Sequence, residues 1–216
     1  MLPHQRTIKR VFDITLSLLG LLLLWPVIIG CVVIARLDTG LPGLFVQSRV
    51  GQFGSLIQTR KIRTMRNLPD VNTTVTVAGD KRITVIGAIM RRWKLDELPQ
   101  LWNVLLGEMS FVGPRPDVPG YADTLSGADR EVLNLKPGIT GPATIKYRNE
   151  EELLSQAADA KQYNDSVIYP DKVKINLDYM RHWSLLNDVK YILMTCLLYT
   201  SPSPRDQRGS RMPSSA

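Results

Sequence analysis

Hydrophobic and polar positions divide this chain into one unbroken apolar run and a longer, patterned remainder. From Ile14 to Ala35 no residue is charged. As helix this stretch would extend about 33 Å, at ~1.5 Å per residue, enough to match a hydrocarbon core of roughly 30 Å. Pro26 lies halfway along it, inside "LLLLWPVIIG". It cannot donate to the carbonyl of Leu22 and its ring clashes there, so a kink is predicted. Thr15 and Ser17 are candidates to satisfy the freed backbone. Beyond the run, "GLFVQSRVGQFGSLIQTRKIRTM" reads as two short strands around the turn Gly51-Gln52-Phe53-Gly54. "RNLPDVNTTVTVAGDKR" is polar and rich in turn formers, hence a loop. Val85, Ile86, Ile89 and Trp93 then recur at helical spacing with Arg91 and Arg92 alongside, and Leu98, Leu101, Trp102 and Leu105 repeat the pattern. Such stripes face a core or lie at a membrane interface, and the pattern alone does not choose. "SFVGPRPDVPGY" and "LKPGITGPATI" read as loops punctuated by Pro and Gly. "NEEELLSQAADAKQYN" reads as a helix, and "WSLLNDVKYILMTCLLY" as an amphipathic helix with Ser184 as N-cap. From residue 200 onward the apolar period ends, and this segment is expected to be disordered and to be a read-through or cloning-derived tail.

Charge narrows the setting. The 216 residues carry a net charge of +7, which favours anionic partners: nucleic acid, lipid headgroups or phosphorylated substrates. From Arg36 to Arg115 there are twelve Lys or Arg against six Asp or Glu; from Pro116 to Asp178 the balance reverses, seven against eleven. The basic excess thus follows the apolar run directly, where a membrane surface would be, and no nucleic-acid partner is expected. Cys31 and Cys196 offer neither a disulfide framework nor metal-ligand spacing, and His4 and His182 are too few for a zinc site. "MLPHQRTIKR" resembles the start of a signal peptide, but the run exceeds the usual stretch of roughly 7–15 residues and no small-x-small site follows, so no cleavage is expected. Arg6, Lys9 and Arg10 precede the run; Arg36, Arg49, Arg60, Lys61, Arg63 and Arg66 follow it. With both flanks basic, the positive-inside rule favours a re-entrant hairpin bent at Pro26, with a kinked spanning helix as the competing reading.

The chemistry concentrates in "RRWKLDELPQLWN". Asp96 and Glu97 read structurally as an N-cap and a dipole-favouring acid ahead of a helix. Chemically, adjacent carboxylates can hold a divalent cation, and an Asp can accept a phosphoryl group. Lys61, Arg63, Arg91 and Arg115, the last in a rigid Gly-Pro-Arg-Pro turn, supply cations that match phosphate oxygens. A metal, cationic clamps and a positioned nucleophile are what phosphoryl transfer needs.

These residues carry a resemblance. "FVQSRVG", "KIRTM", "LDELPQLWNVLLGEMSFVGPRP", "KPGITG", "KYRN" and "WSLLNDVKYIL", in this order from about Lys9 to Leu198, resemble the bacterial sugar transferases, the monotopic polyprenol-phosphate phosphoglycosyl transferases that initiate glycan assembly. The resemblance implies transfer of a sugar-1-phosphate from a UDP-sugar to undecaprenyl phosphate, with UMP released and an Asp-linked phosphosugar between the two steps. It implies Asp96 as nucleophile and, with Glu97, as ligand of Mg2+. Arg91, Arg115 and Arg148 match the family's active-site arginines, and Lys61 and Arg63 its basic strand. It further implies a re-entrant membrane helix kinked at a proline, here Pro26, a bacterial inner-membrane location facing the cytoplasm, and downstream glycosyltransferases as partners. The expected fold is α+β and mostly helical: a re-entrant anchor (1–38), interfacial amphipathic helices, and a small cytoplasmic catalytic domain (39–199) with a short β-hairpin, then the tail (200–216). Departures from the family pattern are Trp25 where Ser often precedes the proline, Ile62 for Phe, Pro142 for Trp, and a long segment from Glu150 to Asn176. The last two bear on the sugar site, leaving open which sugar is moved. A glycosyltransferase releasing UDP and a non-catalytic basic membrane-binding protein are the competing readings.

Overall fold

The computed structural model describes residues 1–67 and 80–200, so most of the polar loop expected over 66–82, and the tail from 201, lie outside the described residues. The described part is mostly helical with a short antiparallel hairpin. The elements are α1 (Pro3–Thr39), β1 (Leu44–Val50), β2 (Leu56–Ile62), α2 (Val85–Arg92), α3 (Gln100–Leu106), β3 (Ser110–Val112), β4 (Gly138–Thr140), α4 (Pro142–Lys146), α5 (Glu150–Gln156), α6 (Ala160–Tyr163), α7 (Tyr169–Arg181) and α8 (Leu185–Thr200).

The predicted hairpin forms, with β1 and β2 antiparallel and Val46 opposite Arg60. Its edge is completed by a side chain. Asn103 on α3 is fully buried; its amide donates to the Gln58 carbonyl at 2.7 Å and accepts from the Arg60 N–H at 3.2 Å, as a neighbouring strand would. The stretches around "GPRP" and "KPGITG", read as loops, contain instead a short parallel pair, β3 with β4. Three-residue strands leave almost no periodic signal, and the pairing depends on close backbone approach: a Cβ at Gly138 would stand 2.2 Å from the Gly113 nitrogen. The helix expected over "NEEELLSQAADAKQYN" is broken between α5 and α6, and a π-turn at Asn164–Ile168 joins α6 to α7. Ser184 does cap α8, its hydroxyl accepting from the Asn187 N–H at 3.2 Å. Cys31 and Cys196 are not bridged.

α1 is, among the described residues, the one helix long and apolar enough to cross a membrane, and it runs helical through Pro26. Both of its ends hold the same body. Near the N-terminus the Lys9 ammonium meets the buried Asp188 carboxylate and the Tyr179 hydroxyl. Arg10 donates to the carbonyls of Val104 and Leu105, at 2.7 and 2.8 Å, and so caps the C-terminus of α3. Asp13 accepts from the Ser110 hydroxyl and the Phe111 N–H, both at 3.1 Å. At the far end Cys31 and Ala35 pack with Ile62 and Met90, and Arg66 donates to the Asp38 carbonyl at 2.8 Å. Between these ends Leu22, Leu23 and Trp25 are exposed. The hydroxyls of Thr15 and Ser17, the two candidates for satisfying the backbone freed at Pro26, bond the carbonyls of Val11 and Ile14 instead.

Candidate active site

The acidic pair sits in a 3-10 turn, Leu95–Glu97, between α2 and α3. It does not cap α3: Pro99 holds that position, without a side-chain bond, so the structural reading of Asp96 as an N-cap fails. The turn is entered through Lys94 at φ 55°, ψ 22°, a left-handed conformation that costs a non-glycine residue about 1 kcal/mol or more. The consequence is local. Backbone reversal at Lys94 turns both following carboxylates inward, leaving Asp96 8% and Glu97 6% exposed.

Cations meet them there. Lys61 at the end of β2 and Arg115 in the Gly-Pro-Arg-Pro turn both bond Glu97 Oε1, each at 3.0 Å. The Arg115 turn is pinned on both sides. The Val50 N–H donates to the Asp117 carbonyl at 2.8 Å, Arg49 donates to the Pro116 carbonyl, and the Gly138 N–H donates to the Pro114 carbonyl at 2.7 Å. Arg91 is held at 3.0 Å from the Thr64 hydroxyl, and its charge acts on Asp96.

The two carboxyls are driven apart electrostatically. Burial would raise Glu97, but Lys61, Arg115 and Lys94 outweigh it and hold the carboxyl well below the usual range. Asp96 is raised, first by burial and then by the neighbouring Glu97 charge, against the pull of Lys61, Lys94 and Arg91. Lys61 is itself lowered by burial, with Glu97 opposing. Asp96 Oδ1 is buried with no hydrogen-bond partner among the described residues. A buried acceptor left unpaired costs about 1–3 kcal/mol, and this one belongs to the residue matched to the nucleophile.

Beside the pair opens a cavity of about 230 Å³ whose lining includes Lys94, Arg115, Arg148, Asp117, Tyr169 and Asn176. Of the residues singled out in the sequence, Lys61, Arg91 and Arg115 therefore gather around Asp96 and Glu97, and Arg148 lines the adjoining cavity. Arg63 does not join them: its guanidinium donates to the Pro42 carbonyl at 2.8 Å and lies over the Phe45 ring. Pro26 is remote, in the exposed middle of α1. Lys94 escaped the reading although it abuts the pair, because its backbone conformation has no sequence signature. Asp117 and Asn176 reach the cavity only through tertiary folding.

Comparison with known proteins bears on the family. The bacterial sugar transferase family matches residues 4–201. The UDP-glucose:undecaprenyl-phosphate glucose-1-phosphate transferase of Escherichia coli (strain K12) is 35% identical over 196 residues, covering 88% of this chain and 40% of that protein. The galactosyl transferase CpsE of Streptococcus agalactiae serotype III is 35% identical over 199 residues, 87% of this chain and 41% of that one. The exopolysaccharide production protein ExoY of Sinorhizobium fredii is 30% identical over 203 residues, 87% and 83% of the two chains. The chain thus spans about two-fifths of the length of the first two relatives. With its acidic pair, cationic surround and adjoining cavity all inside the matched residues, the chain belongs to the bacterial sugar transferase family.

Proposed function

We propose that the chain is a phosphoglycosyl transferase that moves a sugar-1-phosphate from a UDP-sugar to undecaprenyl phosphate through a covalent intermediate on Asp96. The observation that carries the reading is the unpartnered, buried Asp96 Oδ1 beside a Glu97 held ionised by Lys61 and Arg115. The names of the relatives support the substrate classes.

In the first step an Asp96 oxygen attacks the sugar-linked phosphorus and the bond to UMP breaks, leaving a phosphosugar ester on Asp96. In the second, a phosphate oxygen of the acceptor attacks that phosphorus and the bond to Asp96 breaks, giving the polyprenyl-diphosphate-sugar. Arg115, Arg91 and Lys61 stabilise the phosphoryl oxygens as charge shifts onto them. Arg148 and Lys94 hold the diphosphate at the cavity rim. The residues fit magnesium, since the unpaired Asp96 oxygen and Glu97 provide the one or two carboxylates that Mg2+ commonly takes beside substrate phosphates. Bound there, by Asp96 and Glu97, the ion would neutralise repulsion between carboxylate and diphosphate.

The setting is the membrane surface. Attachment of both ends of α1 to one body, with exposed Leu22, Leu23 and Trp25 between them, supports a helix that dips into the bilayer. Its return as a re-entrant hairpin requires a bend at Pro26, through which α1 here runs helical. The stripe of α2 and α3 supports the interfacial reading, with Val85, Ile89, Trp93 and Trp102 exposed. On this reading the catalytic body lies on the cytoplasmic face of the inner membrane, where a lipid-anchored acceptor presents its phosphate and later glycosyltransferases take up the product.

The test is release of UMP from a panel of UDP-sugars by the detergent-solubilised protein with undecaprenyl phosphate and magnesium. One donor should yield UMP, and Asp96→Asn should abolish it. UDP as product would move the assignment to direct sugar transfer, and no turnover with folded protein to a binding role.

A further inference from the structure

The lining of the cavity holds the second buried, unpartnered acceptor among the described residues. Asn176, on the inner face of α7, is 5% exposed, and its side-chain Oδ1 has no hydrogen-bond partner among the described residues. Apart from Asp96 Oδ1 it is the one buried side-chain N or O atom left so among those residues. It lines the same cavity as Arg115, which bonds Glu97. Its neighbours Val173 and Leu177 belong to an apolar cluster with Val50 and Leu133, so nothing in the packing calls for an amide there. A leucine would fill such a place without the cost of burying an unpaired acceptor.

A second acceptor stands in the same cavity. Asp117 takes the Tyr169 hydroxyl at 3.2 Å on Oδ2, and a carboxylate has capacity for further donors. The cavity thus carries acceptors as well as cations, with Arg115 bonded to Glu97 and the charge of Lys172 acting on Asp117. We propose that Asn176 is a specificity-determining residue whose amide oxygen, together with the Asp117 carboxylate, accepts hydroxyl hydrogens of the sugar ring of the donor. Two acceptors call for at least two donors. The hexose of the donor offers adjacent hydroxyls, as does the ribose of its uridine, whereas the uracil ring offers a single N–H. Comparison with UDP, which keeps the ribose and lacks the hexose, separates the two. The inference rests on the UDP-sugar reading of the site and adds which part of the donor these acceptors contact.

Sites that bind a hydroxyl by a buried polar group reject analogues lacking it far more strongly than apolar pockets do. Affinities would therefore be measured for UDP and for UDP-glucose, UDP-galactose and their N-acetylated counterparts, on the full chain in detergent carrying Asp96→Asn to prevent turnover. With Asn176→Leu added, binding of the preferred UDP-sugar should weaken about tenfold, while affinity for UDP changes by less than about twofold. The same substitution should raise the melting temperature without ligand, which loss of a purely structural amide would not do. Should Asn176→Leu fail to fold, Asn176→Ser, smaller and still polar, carries the same expectation for the ratio of donor to UDP affinity.

Equal weakening of UDP and UDP-sugar would assign Asn176 to the nucleotide and overturn the proposal. So would unchanged binding of both, or a fall in melting temperature with no sugar-specific effect. UMP release by the protein without Asp96→Asn is scored separately. Its absence with every donor removes the phosphotransfer reading, while the binding ratios, which need no turnover, still decide the role of Asn176. If no UDP-sugar binds more tightly than UDP to the protein retaining Asn176, the proposal fails.

Discussion

Lys61 and Arg63 are two residues apart and equally basic, yet they end in different places. Lys61 bonds Glu97 at 3.0 Å, whereas Arg63 is spent on the Pro42 carbonyl and the Phe45 face. The reason is the end of β2 at Ile62: beyond it the alternation of a strand no longer governs which way a side chain leaves the backbone. Lys61→Met should therefore lower kcat/KM for the donor by about a hundredfold, the scale of losing one preorganised cation or donor in an active site. Arg63→Met should cost less than about tenfold, since it touches no reacting group. Parallel steady-state assays of UMP release check both, and equal losses would return Arg63 to the site. At this scale the acidic pair and its basic company were readable from residue types and spacing. The left-handed Lys94 and the unpaired oxygens of Asp96 and Asn176 were not, because backbone conformation and hydrogen-bond satisfaction are properties of placement.

Among elements, α1 does more than carry the apolar run. Lys9 and Arg10 read along the sequence as part of a basic flank kept on the cytoplasmic side, and in the structure they are also ties to Asp188 and to the end of α3. Asp13 completes the attachment by capping the start of β3. Its carboxyl is raised, first by burial, with Lys9 and the bonds from Phe111 and Ser110 pulling the other way. A carboxyl raised on folding is a cost when ionised: its stabilising contribution is complete at low pH and is lost as pH rises through the folded value. Asp13→Asn keeps an acceptor for Ser110 and Phe111 and removes that cost. Its melting temperature in detergent should exceed that of the unsubstituted protein at neutral pH, with the gain shrinking as pH falls toward 4. A gain that grew on acidification would contradict the burial argument. The sequence reading missed the parallel pair β3–β4 together with α4 and α7, and the pair is what sets Arg115 against Glu97.

For the whole molecule, the testable consequence is sidedness. In a background lacking Cys31 and Cys196, cysteines placed at His4 and at Ser55, on the hairpin, should both react with an impermeant maleimide in inverted inner-membrane vesicles. Both should be protected in intact spheroplasts. Labelling of the His4 position alone from the outside would mean that α1 spans. Length and composition leave these outcomes open, because a run of this size can cross or return. What weighs toward return is that residues 9–13 and 31–38 bind one body.

Residue order alone determined the apolar run, the hairpin, the helices α2, α3 and α8, and the family motifs, since each is written in local periodicity, turn chemistry or a contiguous signature. Tertiary structure decided what is assembled from distant segments. Lys61, Asp96 and Glu97, Arg115 and Asn176 stand far apart along the chain and converge only when α3 docks on β2, β3 pairs with β4, and α7 closes the cavity wall. Local propensity carries no record of such meetings, because they follow from which faces must be buried together and which polar atoms that burial leaves to be satisfied.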